Sequence, residues 1–202
     1  MKTIISTFGV EPEGIIQGII QNGCEKLILL VPDDLKSKKN LKQIENMAKQ
    51  MEIIIEKIIV SPYSFMENVQ KIKEIVRQND EVIINITGGR KPLSLAAAMA
   101  GFVTNPKKII YIQEENNQPI EIPKFTMYEN IFSAAKLTIL KSIKNNMTID
   151  DIIKSLENEK SISKEYHVIM KHLRELAEFG LIEKTKSRPH KFSILPSGEL
   201  LK

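Results

Sequence analysis

Residues 80–101 read DEVIINITGGRKPLSLAAAMAG. Val82, Ile83, Ile84 and Ile86 form a short, β-branched, almost wholly apolar run, the pattern of a strand buried on both faces of a parallel sheet. Thr87, Gly88, Gly89, Arg90 and Lys91 follow directly, and Pro92 suits the first turn of a helix, where its missing N–H is no loss. Two glycines permit a sharp turn and a close approach of backbone to a ligand. Free N–H groups at a helix start, beside two cations, make a seat for a phosphate. Ligands of open α/β sheets lie outside the carboxyl ends of the strands, where this turn falls. The small residues Ala96 to Ala98, Ala100 and Gly101 let the helix press onto the sheet. The spacing is neither G-x-x-x-x-G-K-[ST] nor G-x-G-x-x-G. The alternative reading of TGGRK is a tight strand-to-helix turn with two solvated cations.

Upstream, the same alternation repeats. Residues 2–8 read as a strand ending at Gly9, and 14–21 as a helix with Ile15, Ile16, Ile19 and Ile20 on one stripe, stopped by Asn22-Gly23. Lys26–Val31 is a second buried strand, 40–50 a polar-faced helix, 53–60 a third strand and 64–78 a helix. Downstream, 108–113 is a further strand, and 119–123 a short edge strand. Strands and helices alternating in this way predict a parallel, doubly wound sheet with right-handed crossovers. The class is α/β, with a Rossmann-like domain over 1–124 and a smaller α+β domain over 125–202.

When the first and fourth strands are neighbours at the switch point, the turns after them open into one crevice. The candidate ligand residues are then Thr7, Phe8 and Gly9 from one turn, and Thr87, Gly88, Gly89, Arg90 and Lys91 from the other. Thr7 and Thr87 offer hydroxyls, the glycines N–H groups, and Arg90 a bidentate phosphate contact or a plain surface ion pair. Asn85 stands at the strand end within reach of a base or sugar edge. Phe8 reads as a core or rim aromatic before a base-stacking one.

In the last third, 125–146 is mostly helical, Thr148 caps a helix over 149–157, and Ser163 caps a third over 164–179, stopped by Gly180. Tyr166, Ile169, Leu173 and Leu176 form that helix's inward stripe, opposite Lys164, His167, Lys171 and Arg174. Two short strands, 181–184 and 192–195, flank the basic stretch TKSRPHK. Helix, helix, capped helix and basic-tipped hairpin is the layout of a winged helix-turn-helix, its third helix entering the major groove and its wing following the backbone. The DNA-contacting candidates are Ser163, Lys164, His167 and Lys171 on the helix, with Lys186, Arg188, His190 and Lys191 on the wing.

Charge agrees with that division. Of the 202 residues, those from Ser133 onward hold 13 Lys+Arg against 9 Asp+Glu, while earlier residues balance at 16 each. A basic excess confined to the last third suits a polyanion partner. With no apolar run of about 18 residues, no membrane partner is expected. The first residues read as a strand rather than a signal peptide, and the lone Cys24 makes a cytoplasmic location the default. His167 and His172 have no carboxylate or cysteine at ligand spacing, so no metal is expected. A Ser-His-Asp order and an R-x4-6-H ribonuclease motif are missing, which favours a binding protein over an enzyme.

The STFG turn after the first strand and the NxTGGRK turn after the fourth resemble the ligand motifs of CRISPR-associated Rossmann-fold (CARF) domains. SKEYHVIMKHLRELAEFGLIEK is similar to the recognition helix and wing start of many archaeal and bacterial transcription regulators. The pairing resembles the CRISPR-associated transcription regulators found mainly in archaea, over essentially the whole chain. The resemblance implies a homodimer with one composite two-fold pocket for cyclic oligoadenylate, most often the four-membered ring, as a regulatory ligand and not a cofactor. It also implies double-stranded promoter DNA as a partner and a role in antiviral defence. Two rivals remain open: a CARF-type ring nuclease that slowly cleaves the ring, and a regulator sensing another nucleotide.

Overall fold

The computed structural model describes residues 1–34, 38–123, 132–159, 162–186 and 188–202. They divide between two units, Met1–Thr126 and Met127–Lys202. The boundary expected at 124/125, and residues 125–131 of the expected linker helix, lie outside the described residues.

In the first unit, strands β1 (Lys2–Thr7), β2 (Lys26–Pro32), β3 (Ile54–Val60), β4 (Glu81–Asn85) and β5 (Lys108–Ile112) alternate with helices α1 (Glu13–Asn22), α2 (Lys38–Gln50), α3 (Phe65–Arg77) and α4 (Lys91–Thr104). A short β6 (Pro119–Glu121) closes the sheet, whose order is β3-β2-β1-β4-β5-β6. The first five strands run parallel and β6 pairs antiparallel to β5. The α/β, doubly wound expectation holds.

Residue type explains each position in that order. Ile4, Ile5, Leu27 to Leu30 and Val82 to Ile84 are buried almost completely, as strands covered on both faces must be. Burying each such side chain contributes about 1.5–3 kcal/mol relative to exposure. β3 lies at the sheet edge and leaves Ile54 and Ile59 exposed. Gly23 takes a φ of 66° and stops α1, a left-handed conformation that glycine adopts without strain. Helix α4 buries Ala96, Ala97, Ala100 and Gly101. A Cβ on Gly101 would stand 2.6 Å from Ile109 Cδ1, so any larger residue would force the Ile109 side chain to shift.

The second unit holds α5 (Ala134–Ser142), β7 (Met147–Thr148), α6 (Ile149–Ser155), α7 (Tyr166–Glu178), β8 (Ile182–Lys184), β9 (Lys191–Ile194) and a one-turn α8 (Pro196–Glu199). Its strands form an antiparallel sheet in the order β7-β9-β8. Ile139, Leu140, Ile152, Ile169, Leu173, Leu176 and Phe192 share one buried core. No helix among the described residues is long and apolar enough to cross a membrane.

Three local expectations in this unit are corrected. The helix expected to reach 146 ends at Ser142, and Met147 and Thr148 pair with Phe192 and Lys191 as a strand instead of marking a simple break. The helix expected from 164 begins at Tyr166, with Glu165 at the N-cap and no side-chain cap. Ser163 Oγ instead accepts the Glu165 N–H at 3.5 Å, a local turn that competes with the cap. Tyr166, expected inward, is 59% exposed because it occupies the first helical position, ahead of the Ile169–Leu173–Leu176 stripe.

Thr148 does cap α6, through a reciprocal box with Asp151. Asp151 N donates to Thr148 Oγ1 at 3.2 Å, and Thr148 N donates to Asp151 Oδ2 at 2.9 Å. The hydrogen bonds from the Thr148 side chain and then its backbone hold the Asp151 carboxyl below its ordinary value. A depressed carboxyl adds stability that is present above the unfolded value and lost as pH falls through the folded one. Thr148→Ala removes the cap and should destabilise this unit by about 1 kcal/mol at neutral pH. In equilibrium urea unfolding, the difference from the parent should shrink below about pH 4.

Candidate functional site

Strands β1 and β4 are neighbours, with Ser6 opposite Asn85, and their carboxyl-end turns interlock. Thr7 Oγ1 donates to the Gly88 carbonyl, which also accepts Ser94 Oγ at 2.7 Å. A Cβ on Gly9 would fall 2.5 Å from Gly89 N, and one on Gly88 2.5 Å from Thr7 O. Gly89 has a φ of 88°. The two turns thus touch backbone to backbone, and any side chain at Gly9 or Gly88 would part them.

Beneath the turns, Asn85 is fully buried. Its Nδ2 donates to Gly14 O at 3.0 Å, while its Oδ1 accepts the Thr87 N–H at 3.1 Å and Thr87 Oγ1 at 2.5 Å. Thr87 Oγ1 accepts in turn from Ile112 N at 2.8 Å. One polar pair therefore ties β4 to the start of α1 and the end of β5.

Above it opens a cleft of about 980 Å³, lined by the turn 8–11, by Glu13 and Gly14, by Thr87 to Arg90, and by Ile112 to Glu114. Pro32, Asp34 and Asn117 complete the lining. The N–H groups of Gly88, Gly89 and Arg90 donate to no acceptor among the described residues. Successive free N–H groups at a glycine turn concentrate positive potential, which suits an anion. Arg90 Nη1 donates to the Tyr63 hydroxyl at 3.0 Å and Nη2 to Asp34 Oδ2, and the guanidinium stands 5.5 Å from the Tyr63 ring centroid. Glu11, Glu13, Asp34 and Glu114 make the rest of the charged lining acidic.

In the second unit, α7 shows Tyr166, His167, Lys171 and Arg174 to solvent. His167 Nε2 lies 3.3 Å from Glu165 Oε2, and Lys164 Nζ donates to Glu157 O. The β8–β9 hairpin exposes Lys186, Arg188 and Lys191. Thr185 braces it, donating its N–H to Lys191 O and accepting the Lys191 N–H at its Oγ1, both at 2.9 Å, while His190 Nδ1 stands 3.0 Å from Thr185 O. Burial pushes the His172 imidazole below its ordinary pKa, against the opposing pull of Glu175. Among the described residues no group of three or more His, Cys, Asp or Glu side chains is placed to hold a metal ion.

A family profile described as the Csa3 CRISPR-associated Rossmann-like domain matches residues 2–123, more than half of the chain. The chain belongs to that family. Among solved structures, Enterococcus italicus Csm6 bound to cyclic hexa-2'-fluoro-hexa-dAMP is 12% identical over 88% of this chain and 53% of its own, with a TM-score of 0.53. At that identity the likeness is one of fold. Can2 from Sulfobacillus thermosulfidooxidans, in complex with cyclic tetra-adenylate, is a looser match: 14% identity, 100% of this chain, 63% of its own, TM-score 0.48. The chain therefore spans less than two thirds of either. No curated protein matches it.

Set on this Csa3-type domain, the expected ligand residues take different places. Gly9, Thr87, Gly88, Gly89 and Arg90 line the cleft. Thr7 and Asn85 are corrected from ligand donors to buried supports, because their polar atoms are spent on Gly88, Gly14 and Thr87. Phe8 borders the cleft but has no exposed surface and packs in the core with Ile4 and Ile15, which fits its reading as a core aromatic. Lys91 is exposed at the start of α4, outside the cleft lining. Asp34 and Tyr63 were not anticipated. Their signal was position: each directly follows the carboxyl end of a strand, β2 or β3, on the side where α/β sheets bind ligands.

If the interlock is structural, Gly88→Ala should cost stability by itself. We expect a loss of about 1–3 kcal/mol, the usual penalty for forcing atoms into a packed contact, in thermal unfolding without any ligand. An unchanged melting temperature would reduce Gly88 to a ligand-contact residue.

Proposed function

We propose that the first unit seats a cyclic oligoadenylate and that the second is a winged helix that binds double-stranded DNA, making the chain a ligand-responsive transcription regulator. The observation that carries the ligand half is the row of free N–H groups at Gly88, Gly89 and Arg90, residues that line a large cleft at the switch point of a Csa3-type domain. A phosphodiester takes those donors and the Arg90 guanidinium. The carboxylates of Glu11, Glu13 and Glu114 are acceptors suited to the amino groups of adenine. A ring with repeated nucleotides also matches a pocket shared by two copies about a two-fold axis. The six-membered analogue held by Csm6 makes ring size an experimental question, and the four-membered ring is the reading we favour.

The DNA half rests on α7 and the hairpin. The exposed side of α7 offers Tyr166, His167 and Lys171 to base edges, and Lys186, Arg188 and Lys191 meet phosphates. Ligand binding then shifts DNA affinity through its different affinity for two arrangements of the dimer. A protein working on chromosomal DNA in this way acts in the cytoplasm of its cell.

Isothermal titration with cyclic tetra-adenylate, cyclic hexa-adenylate and linear tetra-adenylate tests the ligand reading. We expect one ring per dimer, no comparable binding of the linear control, and recovery of the ring intact. Arg90→Ala should weaken ring binding about 10- to 100-fold, the scale of a hydrogen bond to a charged group, while DNA binding without ring is unchanged. Recovery of cleaved ring would favour the nuclease reading, and a preference for another nucleotide would favour the third.

For the wing, the Lys186, Arg188 and Lys191 triple alanine variant should bind random and promoter DNA more weakly. The slope of log K against log salt should flatten by roughly 2 to 3, since each phosphate that a cation neutralises adds about 0.9 to it. Equal binding by variant and parent in gel shifts across a salt series would remove the hairpin from the interface.

A further inference from the structure

The same guanidinium that the proposed function assigns to a phosphate is already occupied. Arg90 reaches Asp34 from one nitrogen and the Tyr63 hydroxyl from the other, with the Tyr63 ring beneath it. These partners come from the carboxyl ends of β2 and β3, whereas Arg90 follows β4. Asp34 and Arg90 both line the cleft, and each keeps about two fifths of its side chain open to solvent.

The two partners differ in what they do to an incoming anion. Tyr63 is neutral. It supports the guanidinium by its face and its hydroxyl, and both contacts survive when a phosphate takes the remaining N–H groups. Asp34 is an anion on the nitrogen that a phosphodiester would take in a bidentate contact. A phosphate placed there sits within a few ångströms of the carboxylate, and like charges at that range repel. A solvent-exposed ion pair of this kind is individually weak, so it can be exchanged, and each exchange returns Asp34 to water.

We propose that Asp34 is a built-in competitor for the anion seat. It holds Arg90 in the empty cleft and must release it when ligand binds, setting a threshold of ligand concentration. Tyr63 is the positioning residue that keeps Arg90 aimed at the seat throughout. This rests on the reading of the cleft as a phosphate seat. Asp34 also acts on specificity: a ligand with one weakly placed charge does not displace the carboxylate, and one that takes the Gly88–Gly89 N–H groups as well does.

The test uses the full chain and isothermal titration with cyclic tetra-adenylate, on the parent, Asp34→Asn, Tyr63→Ala and the double variant. Asp34→Asn should tighten ring binding by about twofold to fivefold at low salt, on the scale of one exposed charge pair. The gain should fade as salt rises from about 0.05 to 0.5 M, because the repulsion it removes is screened. A merely structural role for Asp34 would not move with salt. Tyr63→Ala should weaken binding severalfold in both backgrounds. If Asp34→Asn leaves affinity unchanged or lowers it, Asp34 orients Arg90 or contacts the ligand, and the proposal is overturned. If no form binds a ring and Arg90→Ala is equally inert, the phosphate-seat reading fails and takes this one with it.

Discussion

The contact on which the first unit depends is the backbone approach of Gly9 to Gly88 and Gly89. The turns after β1 and β4 meet there with no side chain between them, and Thr7 closes the contact by donating to the Gly88 carbonyl. Several features follow from that one constraint. With the Gly88 carbonyl committed to Thr7 and Ser94, the peptide is oriented and its neighbouring N–H groups are left free. Because β1 and β4 are adjacent, their helices depart on opposite sides of the sheet order and a cleft is left above the turns. Asn85 and Thr87 complete the support by fixing the start of α1 and the end of β5 to the same point.

The charge balance of the cleft sharpens what such a site selects. Its positive potential comes from backbone donors and one guanidinium, while four carboxylates stand around them. A simple polyanion gains little in such a place, since each added phosphate meets as much repulsion as attraction. A molecule that alternates phosphate with hydrogen-bond donors fits better, because the carboxylates then act as acceptors instead of repelling charges. In the proposed function, that chemistry favours an adenine-bearing phosphodiester ring over a bare polyphosphate.

Much of this was legible in the chain. The apolar run before TGGRK, the small residues of α4 and the repeated strand–helix alternation all carry their own periodicity, and they specified the sheet and its switch point. The glycines were legible too, although for ligand approach, whereas Gly9 is first required by Gly89 N and Gly88 by the Thr7 carbonyl. What could not be read was direction. Nothing in the one-dimensional pattern says that Asn85 and Thr7 turn their polar atoms inward, whereas the core reading of Phe8 agrees with its full burial. Asp34 and Tyr63 lie 56 and 27 residues from Arg90, so their convergence is a property of strand order. In the second unit, the reach of Ser163 to Glu165 shifted a helix start and moved Tyr166 from core to surface.

The rigidity of the seat bears on how a signal can leave it. Thr7, Asn85, Thr87 and Ser94 hold the turns by hydrogen bonds, and the sheet beneath is packed with side chains that are almost wholly buried. Packed interiors of this kind shift between discrete arrangements and do not deform smoothly. Little of a ligand's binding energy is then spent on bending the sheet. The parts free to respond are the exposed groups at the rim, Arg90 with Asp34 and Tyr63, which join the ends of three strands by contacts weak enough to exchange. In the proposed regulator the signal accordingly starts with the partners of one guanidinium and is expressed as a change in how whole copies pack, leaving the fold of each unit as it was.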